Sequence, residues 1–168
     1  ASDDTGTSSP LITNCIFYKK NTVEYGKTST SSKFHESSGY VNDFEELIDR
    51  SNEIEMARII IAHQNKTSNQ IAIITVDSLF NNINFNAYTL DLANHWGIGL
   101  KEKNNGVLIA VSKKYRTMRI EVGDGLLDSL TNIESKFIVD KVFIPYFKND
   151  LYQEGIKAGL KAIIKELE

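Results

Sequence analysis

The sequence predicts a three-layer α/β/α sandwich, a small mixed sheet that contains an antiparallel hairpin and carries helices on both faces. Three observations lead there. Gln70-Ile-Ala-Ile-Ile-Thr-Val76 is a nearly continuous β-branched apolar run, the pattern of a strand covered on both sides. Residues 106–112 and 117–122 are two more strand-like runs, separated only by Lys113-Lys114-Tyr115-Arg116; a parallel pair needs a crossover of a dozen residues or more, so these two pair antiparallel. Segments before, between and after the strands carry apolar residues at helical spacing, and helices interleaved with strands stack as layers around a sheet.

Taken in order, residues 1–10 have the composition of a tail, and Lys27-Thr-Ser-Thr-Ser-Ser-Lys33 that of a flexible linker. Between them, Leu11 to Tyr25 holds Ile12, Ile16, Phe17, Tyr18, Val23 and Tyr25, too apolar for a free tail. Residues 1–39 are therefore expected to form a tail or spacer with an accessory strand or hairpin around Lys19-Lys20-Asn21. From Phe44, the residues Leu47, Ile48, Ile54, Ala57 and Ile61 mark a helix over 44–64, capped by Asn42 or Asp43, with Glu46 completing a capping-box spacing.

The run 70–76 follows as the central strand. Phe85, Tyr88, Leu92 and Trp96 then trace one face of a helix that stops at Gly97, which makes Trp96 an expected core residue. After the hairpin, Thr131 and Glu134 form a capping box that opens a helix whose expected buried face includes Ile133, Phe137, Ile138 and Phe143, with Pro145 ending or kinking it. A last helix starts at Leu151, capped by Asp150, and buries Ile156, Leu160, Ile163, Ile164 and Leu167.

Composition narrows the function classes. At 168 residues the chain suits one domain; 41% hydrophobic and 24% charged residues are ordinary for a globular protein, and a net charge of −3 gives no electrostatic footprint for nucleic acid. No apolar run approaches the ~20 residues that span a bilayer, so no transmembrane segment is expected. A single cysteine, Cys15, makes no internal disulfide, and Ala1-Ser2-Asp3-Asp4 shows no leader, which suits a cytosolic protein and an exported one alike. Nucleophile elbow, phosphate-binding loop, metalloprotease helix and EF-hand patterns are all absent.

Trp96-Gly-Ile-Gly99, Asn105-Gly-Val-Leu108, Arg119-Ile-Glu-Val-Gly123 and Ile144-Pro-Tyr-Phe147, in that order and spacing, resemble the successive motifs of the TPM domain family. The family is named after thylakoid-lumen acid phosphatases of photosystem II repair and their bacterial and animal relatives. The resemblance runs from Tyr40-Val-Asn-Asp43 to the end of the chain, so residues 40–168 are read as the domain. It implies a divalent-cation site with calcium or magnesium, acid phosphatase-like hydrolysis of a phosphorylated substrate, and action in the periplasm or another extracytoplasmic space. A monomer is expected.

The candidate ligands are oxygen donors: Asp43 before the first helix, Asp77 past the central strand, Asn104 and Asn105 before the hairpin, and Asp124 after it. Carboxylates and amide carbonyls gathered at strand ends are what a hard cation selects. Taken singly, Asp43 reads as a helix cap, and Asn104-Asn105-Gly106 and Gly123-Asp124-Gly125 read as turns. In the phosphatase reading Asp43 or Asp124 positions water or attacks phosphorus. The chain departs from the family pattern at Asn104, where an aspartate is usual, and at Leu127, where a glutamate is usual, so a weakened cation site is expected. Arg119 and Glu121 match the family's strand and share one of its faces, read either as bordering the cleft or as solvated. The competing reading is a non-catalytic module that binds a protein partner during membrane-protein maintenance or assembly.

Overall fold

The computed structural model describes residues 34–79 and 83–168; the accessory strand expected within 11–25 lies outside them. Four strands form one sheet in the order β1-β2-β3-β4: β1 (Val41–Asp43), β2 (Gln70–Thr75), β3 (Gly106–Ser112) and β4 (Thr117–Val122). The first three run parallel and β4 returns antiparallel to β3, with Val107 opposite Val122 and Ser112 opposite Thr117. The hairpin and the central run thus fold as their patterns require. Every residue of β3 is buried, as is every residue of β2 after Gln70.

Two layers of helix close the sheet. Ile71, Ile73, Val107, Ile109, Val111, Met118 and Ile120 face a core built with α1 (Arg50–Thr67), α3 (Asn132–Ile138), α4 (Ile144–Lys148) and α5 (Tyr152–Leu167). The alternate residues Ala72, Ile74, Leu108 and Ala110 face α2 (Phe85–Trp96) through Phe85, Tyr88, Leu92 and Ala93. Both parallel crossovers step the same way across the sheet, β1 to β2 to β3, yet α1 and α2 lie on opposite faces. They therefore have opposite hands, and one departs from the right-handed rule that about 98% of such units obey. On its face, α2 lies over β3 and β4.

Several expectations are corrected. The residues read as the cap of the first helix lie in the three-residue strand β1, residues 44–49 form a turn, and α1 begins at Arg50 with Asp49 as its cap, accepting from the Asn52 N–H at 2.9 Å. Asp43 ends β1; Asn42 and Asp43 cap no helix, and the 43/46 capping box does not form. The pairing of Val41 with Ile73 and of Asp43 with Thr75 makes β1 a strand, a long-range interaction with no periodicity to announce it. On α3 the Thr131/Glu134 box forms, but the buried residues are Ser135 and Ile138, while Ile133 is 82% and Phe137 61% exposed. Small, buried Ser135 lets that other stripe approach the core.

Pro145 does not stop the helix. A wide π turn over Val139–Phe143, in which the Ile144 N–H reaches back to Val139 O, carries the chain into α4 with Pro145 in its first turn, where a missing N–H costs nothing. Asp150 does not cap α5; it sits at φ 60° and pairs with Lys113 Nζ of the hairpin tip at 2.8 Å. Of the expected α5 stripe, Ile156, Leu160 and Ile163 are fully buried, and Ile164 and Leu167 partly. Trp96 is half-buried beside the α2 core, its indole Nε1–H donating to His35 O at 2.9 Å.

Candidate functional site

Parallel strands β1 and β2 end together at Asp43 and Thr75. The Thr75 hydroxyl donates to Asp43 Oδ1 at 2.5 Å, and the Asp43 carboxylate also accepts the N–H groups of Leu47 (3.0 Å) and Ile48 (2.7 Å). Those bonds hold the turn over 44–49, in which Glu46 takes a left-handed φ of 56°. Glu45 reaches across to the hairpin tip and accepts from Lys113 N (2.9 Å) and Lys114 N (2.7 Å). Burial, aided by the negative charges of Asp77 and Asp43, raises its pKa against the lowering effect of those two bonds. Asp77, just past β2, is exposed.

A ring cluster flanks this end. The His35 N–H donates to the Tyr88 hydroxyl at 3.2 Å, while His35 Nδ1 lies 2.5 Å from the same oxygen. The hydroxyl oxygen has two lone pairs and one proton, so it can meet either tautomer of the ring at Nδ1. Burial lowers the His35 pKa, against the pull of Asp77. No pattern in the sequence singles out His35; only the fold brings its ring against Phe44 (4.5 Å between centroids) and Tyr88.

The opposite end of the sheet is knit from backbone. Gly123 N donates to Gly106 O at 2.8 Å and Gly125 N to Asn104 O at 3.0 Å, so the two glycine turns do lie side by side. A Cβ on Gly123 would stand 2.2 Å from Asn104 O, and one on Gly125 1.8 Å from Lys103 O; only glycine permits the approach. Buried Asn105 spends its amide on Leu100 N (2.9 Å), Ser68 O (3.0 Å) and Asn69 Oδ1 (3.3 Å). Asn104 occupies φ 46°, a conformation its amide side chain tolerates, and Asp124 is exposed.

The five expected ligands are therefore not one site. Asp43 and Asp77 lie at one end of β2; Asn104, Asn105 and Asp124 lie beyond the other, a strand of six residues away, roughly 20 Å. The expected catalytic pair, Asp43 and Asp124, is split the same way. Among the described residues no three His, Cys, Asp or Glu side chains gather as a metal group. Calcium or magnesium at a single site of these five does not fit the geometry.

Between the two ends lies the pair read as bordering the cleft or as solvated. Arg119 is 3% and Glu121 0% exposed, because both point under α2. Arg119 Nε pairs with Glu121 Oε1, which also accepts from the Thr89 hydroxyl of α2 at 2.9 Å; buried Glu121 Oε2 has no hydrogen-bond partner among the described residues. Burial pushes the Glu121 pKa up to about 7, outweighing the attraction of Arg119 and the bond from Thr89.

The model of the TPM domain family matches residues 41–166. The chain belongs to that family. It is also similar to the solution structure of the N-terminal domain of a P. gingivalis protein, at 29% identity over 76% of this chain and 81% of that one, with a TM-score of 0.70. Two more distant structures share the fold. The BA42 protein of the psychrophilic bacterium Bizionia argentinensis is 19% identical, with 74% of this chain and 83% of that one aligned and a TM-score of 0.63. The N-terminal domain of a Corynebacterium glutamicum protein is 13% identical, with 84% and 86% aligned and a TM-score of 0.59. No curated protein matches the chain. Within this TPM domain no described helix is long and apolar enough to cross a membrane.

Proposed function

We propose that this TPM domain works as a non-catalytic binding module in membrane-protein maintenance or assembly, outside the cytoplasm as the family resemblance suggests. The division of the oxygen ligands between the two ends of β2 supports the reading. Asp43, Glu45 and Asn105 already spend their oxygens on backbone N–H groups within the chain, which is what structural side chains do. A calcium and magnesium titration followed residue by residue by NMR tests it. The expected result is no saturable shift that couples residues 43 and 77 to residues 104, 105 and 124; a single tight transition at all five positions would overturn the reading.

One observation favours the phosphatase-like alternative. Exposed Asp77 stands close enough to His35 and Glu45 to influence both, at the carboxyl end of parallel strands, where open α/β sheets usually bind ligands. In that reading Asp77 orients water or a cation toward a phosphorylated substrate. It requires hydrolysis of an aryl phosphate at mildly acidic pH that depends on added cation and falls in a folded Asp77→Asn protein. The module reading expects no cation-dependent turnover in parent or variant.

A further inference from the structure

A chain of buried polar side chains beside the glycine end has its proton positions fixed by backbone. Asn105 Oδ1 accepts the Leu100 N–H at 2.9 Å and its Nδ2 donates to Ser68 O at 3.0 Å, so main-chain groups on both sides set the orientation of this amide. The same Nδ2 donates to Asn69 at 3.3 Å, which makes the Asn69 atom facing it Oδ1. Asn69 Nδ2 is thereby turned to His63 Nε2, 3.2 Å away, and an NH2 group facing a ring nitrogen requires that nitrogen to be a bare acceptor. His63 is therefore neutral, with its proton on Nδ1. That nitrogen, buried and without a hydrogen-bond partner among the described residues, faces the Glu168 carboxylate at 3.7 Å.

We propose that His63 is an acid-released latch, which in its neutral form clips the end of α1 to the 100–105 turn through Asn69 and Asn105 and lets go when Nε2 takes a proton. The protonated ring carries an N–H on both nitrogens, so Nε2–H confronts the Asn69 NH2 group, donor against donor. Turning the Asn69 amide over only moves the conflict, because its NH2 then meets Asn105 Nδ2, whose orientation the Leu100 N–H and Ser68 O hold. One link of the chain has to break. His63, Asn69 and Asn105 are all buried, and water satisfies the freed group only if the turn moves aside.

The surrounding charges set where the latch trips. Burial lowers the His63 pKa, the Glu168 carboxylate draws it back up, and Lys66 lowers it again. Lys66 Nζ lies 3.3 Å from the same Glu168 oxygen, and from the 100–105 turn Lys103 Nζ donates to Ser68 Oγ at 2.9 Å, a second cation at this contact. Release therefore falls below the ordinary histidine value of 6.5, in mild acid. The latch works in this way whatever the domain binds.

NMR titration of the parent and of His63→Gln tests the proposal. At pH 8 the ring nitrogen shifts of the parent should report the Nδ1–H tautomer of His63. Between pH 7 and pH 5 the protection of the Leu100 amide, corrected for the intrinsic pH dependence of exchange, should fall ~10-fold, as the loss of one hydrogen bond does, and the Asn105 side-chain NH2 should shift with the midpoint of His63. Ile109, inside the sheet, should stay protected and report an intact fold. The glutamine of the variant offers Asn69 an uncharged acceptor and leaves His35 and His95 in place, so in it both responses should disappear. A proton on Nε2 at pH 8 would overturn the proposal, as would Leu100 and Asn105 signals that ignore the His63 titration. Responses that persist undiminished in the variant would assign them to another histidine and overturn it equally. Should the variant not fold, the tautomer and the shared midpoint in the parent decide alone.

Discussion

The two ends of this sheet are secured by different chemistry. At the glycine end, Gly106, Gly123, Gly125 and Asn104 bring main chain against main chain, and Asn105 fills the remaining polar space with its amide. At the carboxyl end, Asp43, Glu45, Thr75, His35 and Tyr88 hold the turns through side chains, four of which can ionise. The glycine contacts depend on shape and are indifferent to pH; the carboxyl end depends on charge and hydration. Shape tolerates no added atom, whereas the charged end tolerates replacement but responds to protons.

The two regimes meet at Glu121, two residues from Gly123 and fully buried, and the largest expected effect lies there. A carboxyl raised from 4.5 to about 7 binds its proton more tightly in the folded state, so its stabilising contribution is complete below pH ~4.5 and is lost as pH rises toward 7. The loss is on the order of 3 kcal/mol. Urea unfolding at pH 5 and pH 8 should show most of it in the parent. In Glu121→Gln that part of the slope should vanish, although burying Arg119 beside a neutral amide lowers stability at both pH values. Equal pH slopes in the two proteins would break the account.

Next comes Gly123→Ala, which drives a methyl group into Asn104 O and should cost about 2–3 kcal/mol, read as a lower urea midpoint. Its counterpart at the other end, Asp77→Ala at an exposed position, should stay within ~0.5 kcal/mol. Comparable losses in the two variants would erase the contrast between the ends.

Asp43→Ala removes three accepted hydrogen bonds from the turn over 44–49 and should cost about 1–2 kcal/mol, with faster amide exchange at Leu47 and Ile48. Exchange at those two amides that matches the parent would show that the turn holds itself. Smallest of all is Asn104→Asp. With Asp43 and Asp77 a strand length away, the added carboxylate has no partner ligands from that end, so the calcium titration should match the parent. Marked tightening of calcium binding would restore a site at the glycine end, with Asp124 as the adjacent carboxylate.

Much of the architecture was legible because it is local. The 106–122 hairpin follows from four turn residues between two apolar runs, helix 85–96 from one stripe and a glycine, and the Thr131/Glu134 box from two side chains three apart. The candidate site was less so. Ile133 and Phe137 lie at helical spacing with Ile138 and Phe143, yet only the latter two are buried, and hydrophobicity alone does not separate them. Arg119 and Glu121 alternate as a wet face would, and nothing near them in sequence says that α2 lies over that face.

By itself, then, the sequence determined which segments are strand or helix wherever periodicity, caps and turns act within a few residues, and the TPM family through the order of its motifs. Only the tertiary structure decided which of those segments meet. Strand direction is the physical reason: with β1, β2 and β3 parallel, residues that follow β1 and β2 gather at one end, while those that precede β3 and follow antiparallel β4 gather at the other. Five oxygen donors that look like one site along the chain are thereby drawn apart. Burial of the Arg119 and Glu121 pair has the same origin, since the crossover that carries α2 to its face of the sheet is a property of the whole fold.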